Sequence, residues 1–228
     1  MTLQNLPQKL TSLYLRRLKN NRHSLKQVLV STDRTRWLDM GSSSRFSEGF
    51  YFADLHPASE TPENMRDKYF QFNPARASDA ETGRLGKFHL IRMQHVFEHL
   101  TMEDGVKCLE KCHQLLEDDG YLLITVPDLK IFVKNYRQKK IHKMAFADWA
   151  RTRIPQDAPE SFYFSLFSHS FPNQQHMWCY DEEGLKYQLN RTKKFKNVER
   201  LSVFHPLADI PFTHNRPEEE LCVLAQRA

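Results

Sequence analysis

Trp37-Leu38-Asp39-Met40-Gly41 is a short apolar run that ends on glycine, and Phe50-Tyr51-Phe52-Ala53-Asp54 is a second run that ends on an acid. Both are too short for a helix and are bounded by turn residues, which reads as two buried strands. Working outward, Tyr69 to Phe72 predicts a third strand and His89 to Val96 a fourth. Thr101 to Glu117 predicts a helix, with Thr101 as N-cap and Glu103 and Asp104 in the first turn. Asp118-Asp119-Gly120 predicts a stop and turn. Tyr121-Leu122-Leu123-Ile124-Thr125-Val126-Pro127 follows as a nearly continuous apolar strand, as expected in a sheet covered on both faces. Asp181 to Asn190 predicts a helix, and Val198 to Phe204 and Leu221 to Gln226 predict two closing strands. Strands separated by crossovers favour an α/β fold with a largely parallel sheet.

The ends and the middle of the chain differ from this pattern. Leu3, Leu6, Leu10, Leu13 and Leu18 recur at near-helical spacing among Lys9, Arg16, Arg17 and Lys19. Residues 1–30 therefore read as a basic helical arm, and 31–228 as the main domain. Residues 1–36 hold eight Lys/Arg against Asp33, so the chain's net charge of +5 belongs to this N-terminal segment, and an anionic membrane surface or another acidic partner could meet it peripherally. A second basic stretch runs from Lys130 to Arg153. Residues 144–180 are rich in rings and prolines and read as an insertion within the domain. No apolar run approaches the roughly 18 residues of a spanning helix, and no secretory signal is recognisable, so the chain reads as cytoplasmic. Cys108, Cys112, Cys179 and Cys222 form no CxxC pair and read as reduced thiols.

The chemistry-bearing residues gather at strand ends. In open α/β sheets ligands bind beyond the carboxyl ends of the strands, and an acid after the second strand can accept hydrogen bonds from both hydroxyls of a ribose. Gly41 and Asp54 suit these two roles. His95 ends the fourth strand, and Glu98 and His99 follow it at once. His95-x-x-Glu98-His99 also matches a zinc-hydrolase signature, in which two histidines one helical turn apart hold the metal. That reading requires both histidines on one helix, whereas His95 falls at the end of an apparent strand.

His95-Val96-Phe97-Glu98-His99-Leu100, the following helix, and Asp119-Gly120-Tyr121-Leu122-Leu123-Ile124-Thr125-Val126-Pro127-Asp128 resemble class I S-adenosylmethionine (SAM)-dependent methyltransferases of the type 11 group. The resemblance is strongest to a branch often linked to surface-polysaccharide synthesis. Leu38 to Leu55 follows that branch's cofactor loop without a gap, Trp178 to Leu185 resembles a later segment with His176 ahead of it, and Arg216-Pro217-Glu218-Glu219 resembles its ending. The resemblance implies a Rossmann-like, seven-stranded, mostly parallel sheet with helices on both faces and the last strand antiparallel. It implies SAM as cofactor, held by Asp39, Gly41, Ser42, Ser43, Asp54, Leu55, Asn73 and Gln94. It makes His95 and His176 the candidates for an acid–base role, and it assigns no metal. The expected acceptor is a small molecule or glycan. Nucleic acid ranks below these, because no Asn/Asp-Pro-Pro-Tyr/Phe motif is present. In the loop, Ser42 and Ser43 stand where the family has cysteine and glycine. Glycine there permits positive φ and close backbone approach; serine still offers an N–H and a hydroxyl. That change supports one alternative, a non-catalytic methyltransferase fold kept for binding a partner.

Overall fold

The computed structural model describes residues 36–43, 46, 49–144, 154–155, 157–169, 175–202 and 218–228, with the backbone alone at 166–169. The predicted N-terminal arm lies outside these residues, as do Phe146, Trp149 and Phe171 of the insertion.

Seven strands form one sheet: β1 (Trp37–Met40), β2 (Phe50–Asp54), β3 (Tyr69–Gln71), β4 (Phe88–Gln94), β5 (Leu116–Pro127), β6 (Phe195–Leu201) and β7 (Glu220–Arg227). Their order is β3-β2-β1-β4-β5-β7-β6. The first five pair in parallel, and β7 runs antiparallel to both β5 and β6. The order reverses between β1 and β4, so the crevice beyond their carboxyl ends is the place where such folds bind ligands. Five α-helices lie among the described residues: α1 (Asp79–Leu85), α2 (Met102–Leu115), α3 (Leu129–Arg137), α4 (Glu160–His169) and α5 (Glu182–Arg191).

Side-chain alternation divides the sheet into two apolar faces. Leu38, Met40, Ile91, Met93, Ile124 and Val223 point to one, where Leu85 of α1, Leu109 and Leu115 of α2, and Leu185 and Leu189 of α5 join them. Phe50, Phe52, Leu90, Leu123 and Leu224 point to the other. Thr101 caps α2 by accepting from the Asp104 N–H, and Asp181 caps α5 through Gly184. Phe132, Ile141, Met144, Ile154 and Tyr163 form a third cluster, so the described part of the insertion packs with α3 in a small core of its own.

The expected turn at Asp118-Asp119-Gly120 is instead part of β5. Helix α2 ends at Leu115 and the strand starts at Leu116, with its register to β4 shifted between Phe88 and Leu90. Asp119 takes φ +59° to absorb the extra residues. Gly120 fits because a Cβ there would lie 2.9 Å from the Glu117 carbonyl oxygen. The turn residues bend the backbone without ending the strand, and the sheet accommodates them as a bulge.

One polar pair crosses the second apolar face. Asp39 and Arg92 sit opposite each other in the β1–β4 register. Arg92 Nε donates to Asp39 Oδ1 at 3.1 Å, and its Nη2 donates to Oδ2. The guanidinium carbon lies 4.3 Å from the centre of the Phe50 ring. Burial pushes the Asp39 carboxyl up in pKa against the pull of Arg92. Arg92→Met should therefore destabilise the protein by about 3–5 kcal/mol in denaturant unfolding, the cost of leaving one buried partner alone. Asp39→Leu combined with Arg92→Met should recover most of that loss. A single variant within ~0.5 kcal/mol of the parent would show that the pair is not desolvated.

Candidate functional site at the carboxyl ends of β1, β2 and β4

The site starts at Gly41, where β1 ends. Its φ is +80°, and a Cβ there would stand 2.2 Å from Val96 Cγ2. Gly41 thus allows the loop after β1 to lie directly on the turn after β4, and its N–H donates to the Ala53 carbonyl at 2.6 Å. Ser42 is buried, and its Oγ has no hydrogen-bond partner among the described residues. Ser43 takes φ +51°, the left-handed conformation that glycine adopts without strain. What holds it there is Asp54, whose Oδ2 accepts from the Ser43 N–H at 2.8 Å while Oδ1 accepts from the Leu55 N–H at 2.6 Å. The loop keeps a glycine-like shape in spite of its serines.

The other predicted cofactor residues are placed unevenly around this loop. Leu55 is largely exposed next to Asp54, an apolar side chain at the open end of β2. Gln94 ends β4, and its Nε2 is buried without a hydrogen-bond partner among the described residues. Asn73 follows β3, and its Oδ1 accepts from the Ala75 N–H, so that atom serves the local turn. Asp39 is set apart from the rest: it lies within β1, with its carboxylate bound to Arg92.

His95 comes directly after β4, with φ +54° and its N–H bonded to the Thr125 carbonyl at 2.9 Å. Its ring lies between two buried carboxylates. Nδ1 is 3.1 Å from Glu98 Oε1, and Nε2 is 2.7 Å from Glu220 Oε1. Burial opposes charge on the imidazole, but the hydrogen bonds to Glu220 and Glu98 and their charges overcome it and raise its pKa to about 9. His95 is therefore an imidazolium at neutral pH, donating through both nitrogens. His99 lies one short 3-10 turn further on, in Phe97–His99, so the two histidines of the zinc-hydrolase signature do not share an α-helix. His176 approaches from the insertion side, with its ring centre 4.9 Å from that of His99. The segment behind His176 is fixed by the Glu98 carbonyl, which accepts from the Met177 N–H at 2.8 Å and the Trp178 N–H at 3.3 Å.

Sequence reasoning missed Glu220 and Arg92. Glu220 opens β7 at the end of the acidic run Glu218-Glu219-Glu220, and one acid entering an otherwise apolar strand was the available signal. Arg92 was a lone cation in the middle of β4. Only the strand register joins it to Asp39.

Two predictions follow from the strain and the charge of this region. Ser43→Gly should remove a left-handed penalty of roughly 1–2 kcal/mol and cost somewhat less in chain entropy. Its unfolding free energy should equal or exceed the parent's, and a clear loss would contradict the loop conformation. His95 has a folded pKa raised from 6.5 to about 9, so its contribution to stability is complete below about pH 6.5 and lost as pH rises through about 9. In metal-free buffer, the stability gap between the parent and His95→Gln should shrink over that range. A gap independent of pH would rule out the raised pKa.

A family model described as a methyltransferase domain matches residues 4–199 of the chain. No curated protein matches significantly. Among solved structures, the SAM-dependent methyltransferase SibL in its apo form superposes with a TM-score of 0.50 at 14% identity, over 99% of this chain and 60% of SibL. Human N-acetylserotonin methyltransferase in complex with SAM gives a TM-score of 0.50 at 12% identity, over 92% of this chain and 52% of that one. The chain thus spans little more than half the length of these two neighbours. Among the described residues, no helix is long and apolar enough to cross a membrane. With its strand order and a family match over most of its length, the chain belongs to the methyltransferase-domain family, and its fold is that of the class I SAM-dependent methyltransferases.

Proposed function

We propose that the chain transfers the methyl group of SAM to an oxygen or nitrogen of a small-molecule or glycan acceptor. The observation that carries this reading is the pair of buried polar groups without hydrogen-bond partners, Ser42 Oγ and Gln94 Nε2, at the ends of the two strands that flank the switch point. A buried polar group left unmade costs roughly 1–3 kcal/mol, so a site that keeps two is suited to a polar ligand. SAM supplies a methyl group already activated by a sulfonium, and the protein's task is to align donor and acceptor.

The residues divide that task. Asp54 spends one hydrogen bond on each of the Ser43 and Leu55 N–H groups, and a carboxylate has further lone pairs with which to take ribose hydroxyls. The exposed Leu55 offers an apolar face to a flat ring, and Asn73 keeps its side-chain N–H₂ for the same end of the cofactor. Ser42, Ser43 and Gln94 would hold the methionine end. His95, fixed by two carboxylates, sets the wall beside the methyl group; with both of its N–H groups given to Glu98 and Glu220, it shapes that wall and is not ready to take a proton. His176 is the other acid–base candidate, beside His99 and Glu98, with the exposed Met177 and Trp178 next to it in sequence to exclude water.

The alternative of a non-catalytic fold rests on the serine loop, and the kept loop shape weighs against it. Calorimetry separates the two. The parent protein should bind SAM and S-adenosylhomocysteine, and Asp54→Ala should weaken binding by about 1–3 kcal/mol. No heat and no thermal shift at millimolar SAM would overturn the enzyme reading in favour of the scaffold.

A further inference from the structure

A second cluster adjoins the proposed methyl site. Glu98, His99 and His176 each present one ligand-type atom, and these three atoms lie within 4.8 Å of one another; among the described residues, no other group of three has this arrangement. We propose that these three side chains bind a divalent transition-metal ion, with zinc as the best chemical match. The inference stands on the cluster alone and does not depend on the identity of the methyl acceptor.

Three independent observations point to a cation. The first concerns Glu98, which is 1% exposed. Its Oε1 accepts from His95, while its Oε2 is buried with no hydrogen-bond partner among the described residues. A buried carboxylate oxygen needs a donor or a cation. The second concerns His99. Its Nδ1 lies 3.1 Å from the Gln175 carbonyl oxygen. A carbonyl only accepts, so Nδ1 carries the proton, and in the neutral ring Nε2 is the atom left with a lone pair for a metal. Histidines that bind metals are commonly fixed in this way, through a backbone carbonyl on the other nitrogen. The third concerns His176. It reaches Glu98 from a distant part of the sequence, and the Met177 and Trp178 N–H groups dock on the Glu98 carbonyl. That places the ligands on two separate segments held together by backbone bonds, which is how a preorganised site is built.

The ligand set is two imidazoles and one carboxylate, which suits zinc and related transition metals better than magnesium or calcium. Ligand atoms 4.8 Å apart must close by roughly 1–1.5 Å to meet an ion at bond lengths near 2.1 Å, a movement within the rotameric range of two partly exposed histidines. Three protein ligands leave a position open for water or for an oxygen of a bound molecule. The competing account is that a protonated His99 or His176 balances Glu98 and no metal binds. Burial opposes the charge on Glu98, while the hydrogen bond and the charge of His95 favour it.

The full-length protein, stripped with a chelator, is titrated with Zn²⁺ by calorimetry and with Co²⁺ by visible absorbance. SAM is left out, so failure of the cofactor reading would leave this test unaffected. About one equivalent should bind, with a cobalt spectrum of low coordination number. His99→Ala and His176→Ala should each weaken binding about tenfold or more, and His113→Ala, outside the cluster, should leave it unchanged. Glu98→Gln is the third variant. Glu98 also holds His95, so the two histidine variants decide the matter if it fails to fold. Absence of Zn²⁺ binding at micromolar concentration, or binding unchanged in both histidine variants, would overturn the site in favour of the proton-balanced cluster.

Discussion

A carboxylate sealed inside the protein must be matched by donors or cations, and Glu98 is where this constraint organises the molecule. Its side chain fixes the His95 ring, whose other nitrogen meets Glu220. Through that ring the end of β4 is joined to the start of β7, across β5. The Glu98 main chain does a second job, since its carbonyl receives the Met177 and Trp178 N–H groups and so anchors that segment just beyond the carboxyl end of β4, the central strand. Phe97, next to it, packs against Tyr180 with ring centres 5.7 Å apart. One buried residue therefore ties together the sheet, the His95 ring and the segment at Met177 and Trp178.

Much of the sheet was legible in the sequence because its strands are apolar on both faces. Runs such as Phe50 to Asp54 and Tyr121 to Pro127 admit few other interpretations; the first has the same bounds in the structure, and the second ends at the same residue but starts five residues earlier, at Leu116. The antiparallel last strand was not legible from the runs themselves, because hydrophobic pattern carries no direction; it came from the resemblance. Asp118-Asp119-Gly120 was misplaced for a related reason. Turn residues signal a change of direction in the backbone, but not whether the chain leaves the sheet or bulges within it.

The site was legible in part. Gly41, Asp54 and His95 lie where strand-end reasoning puts them. The partners that give them their properties were hidden, because those contacts are made between distant segments. Glu220 is 125 residues from His95 and determines its charge state. Arg92 takes up the Asp39 carboxylate across a strand pair, a contact that only the register reveals. The conformation of the serine loop was not legible in the sequence either. Ser43 stands where glycine would permit positive φ, yet it keeps that conformation, with its N–H donating to the Asp54 carboxylate. The strain of roughly 1–2 kcal/mol is comparable to a hydrogen bond to a charged group.

The charge around His95 also limits what this region can contribute to methyl transfer on the proposed reading. With His95 protonated between two carboxylates, the triad carries one net negative charge. A sulfonium beside it would be stabilised before reaction, when the donor is fully cationic. In the transition state that positive charge is already passing to the acceptor, and the attraction weakens. Interactions stronger in the ground state than in the transition state aid binding but do not accelerate the chemical step. The rate must then come from alignment, with donor and acceptor held in line between the β1 loop and the insertion. That places a premium on rigidity, and a histidine fixed at both nitrogens, with a glycine packed on its neighbour Val96, supplies it.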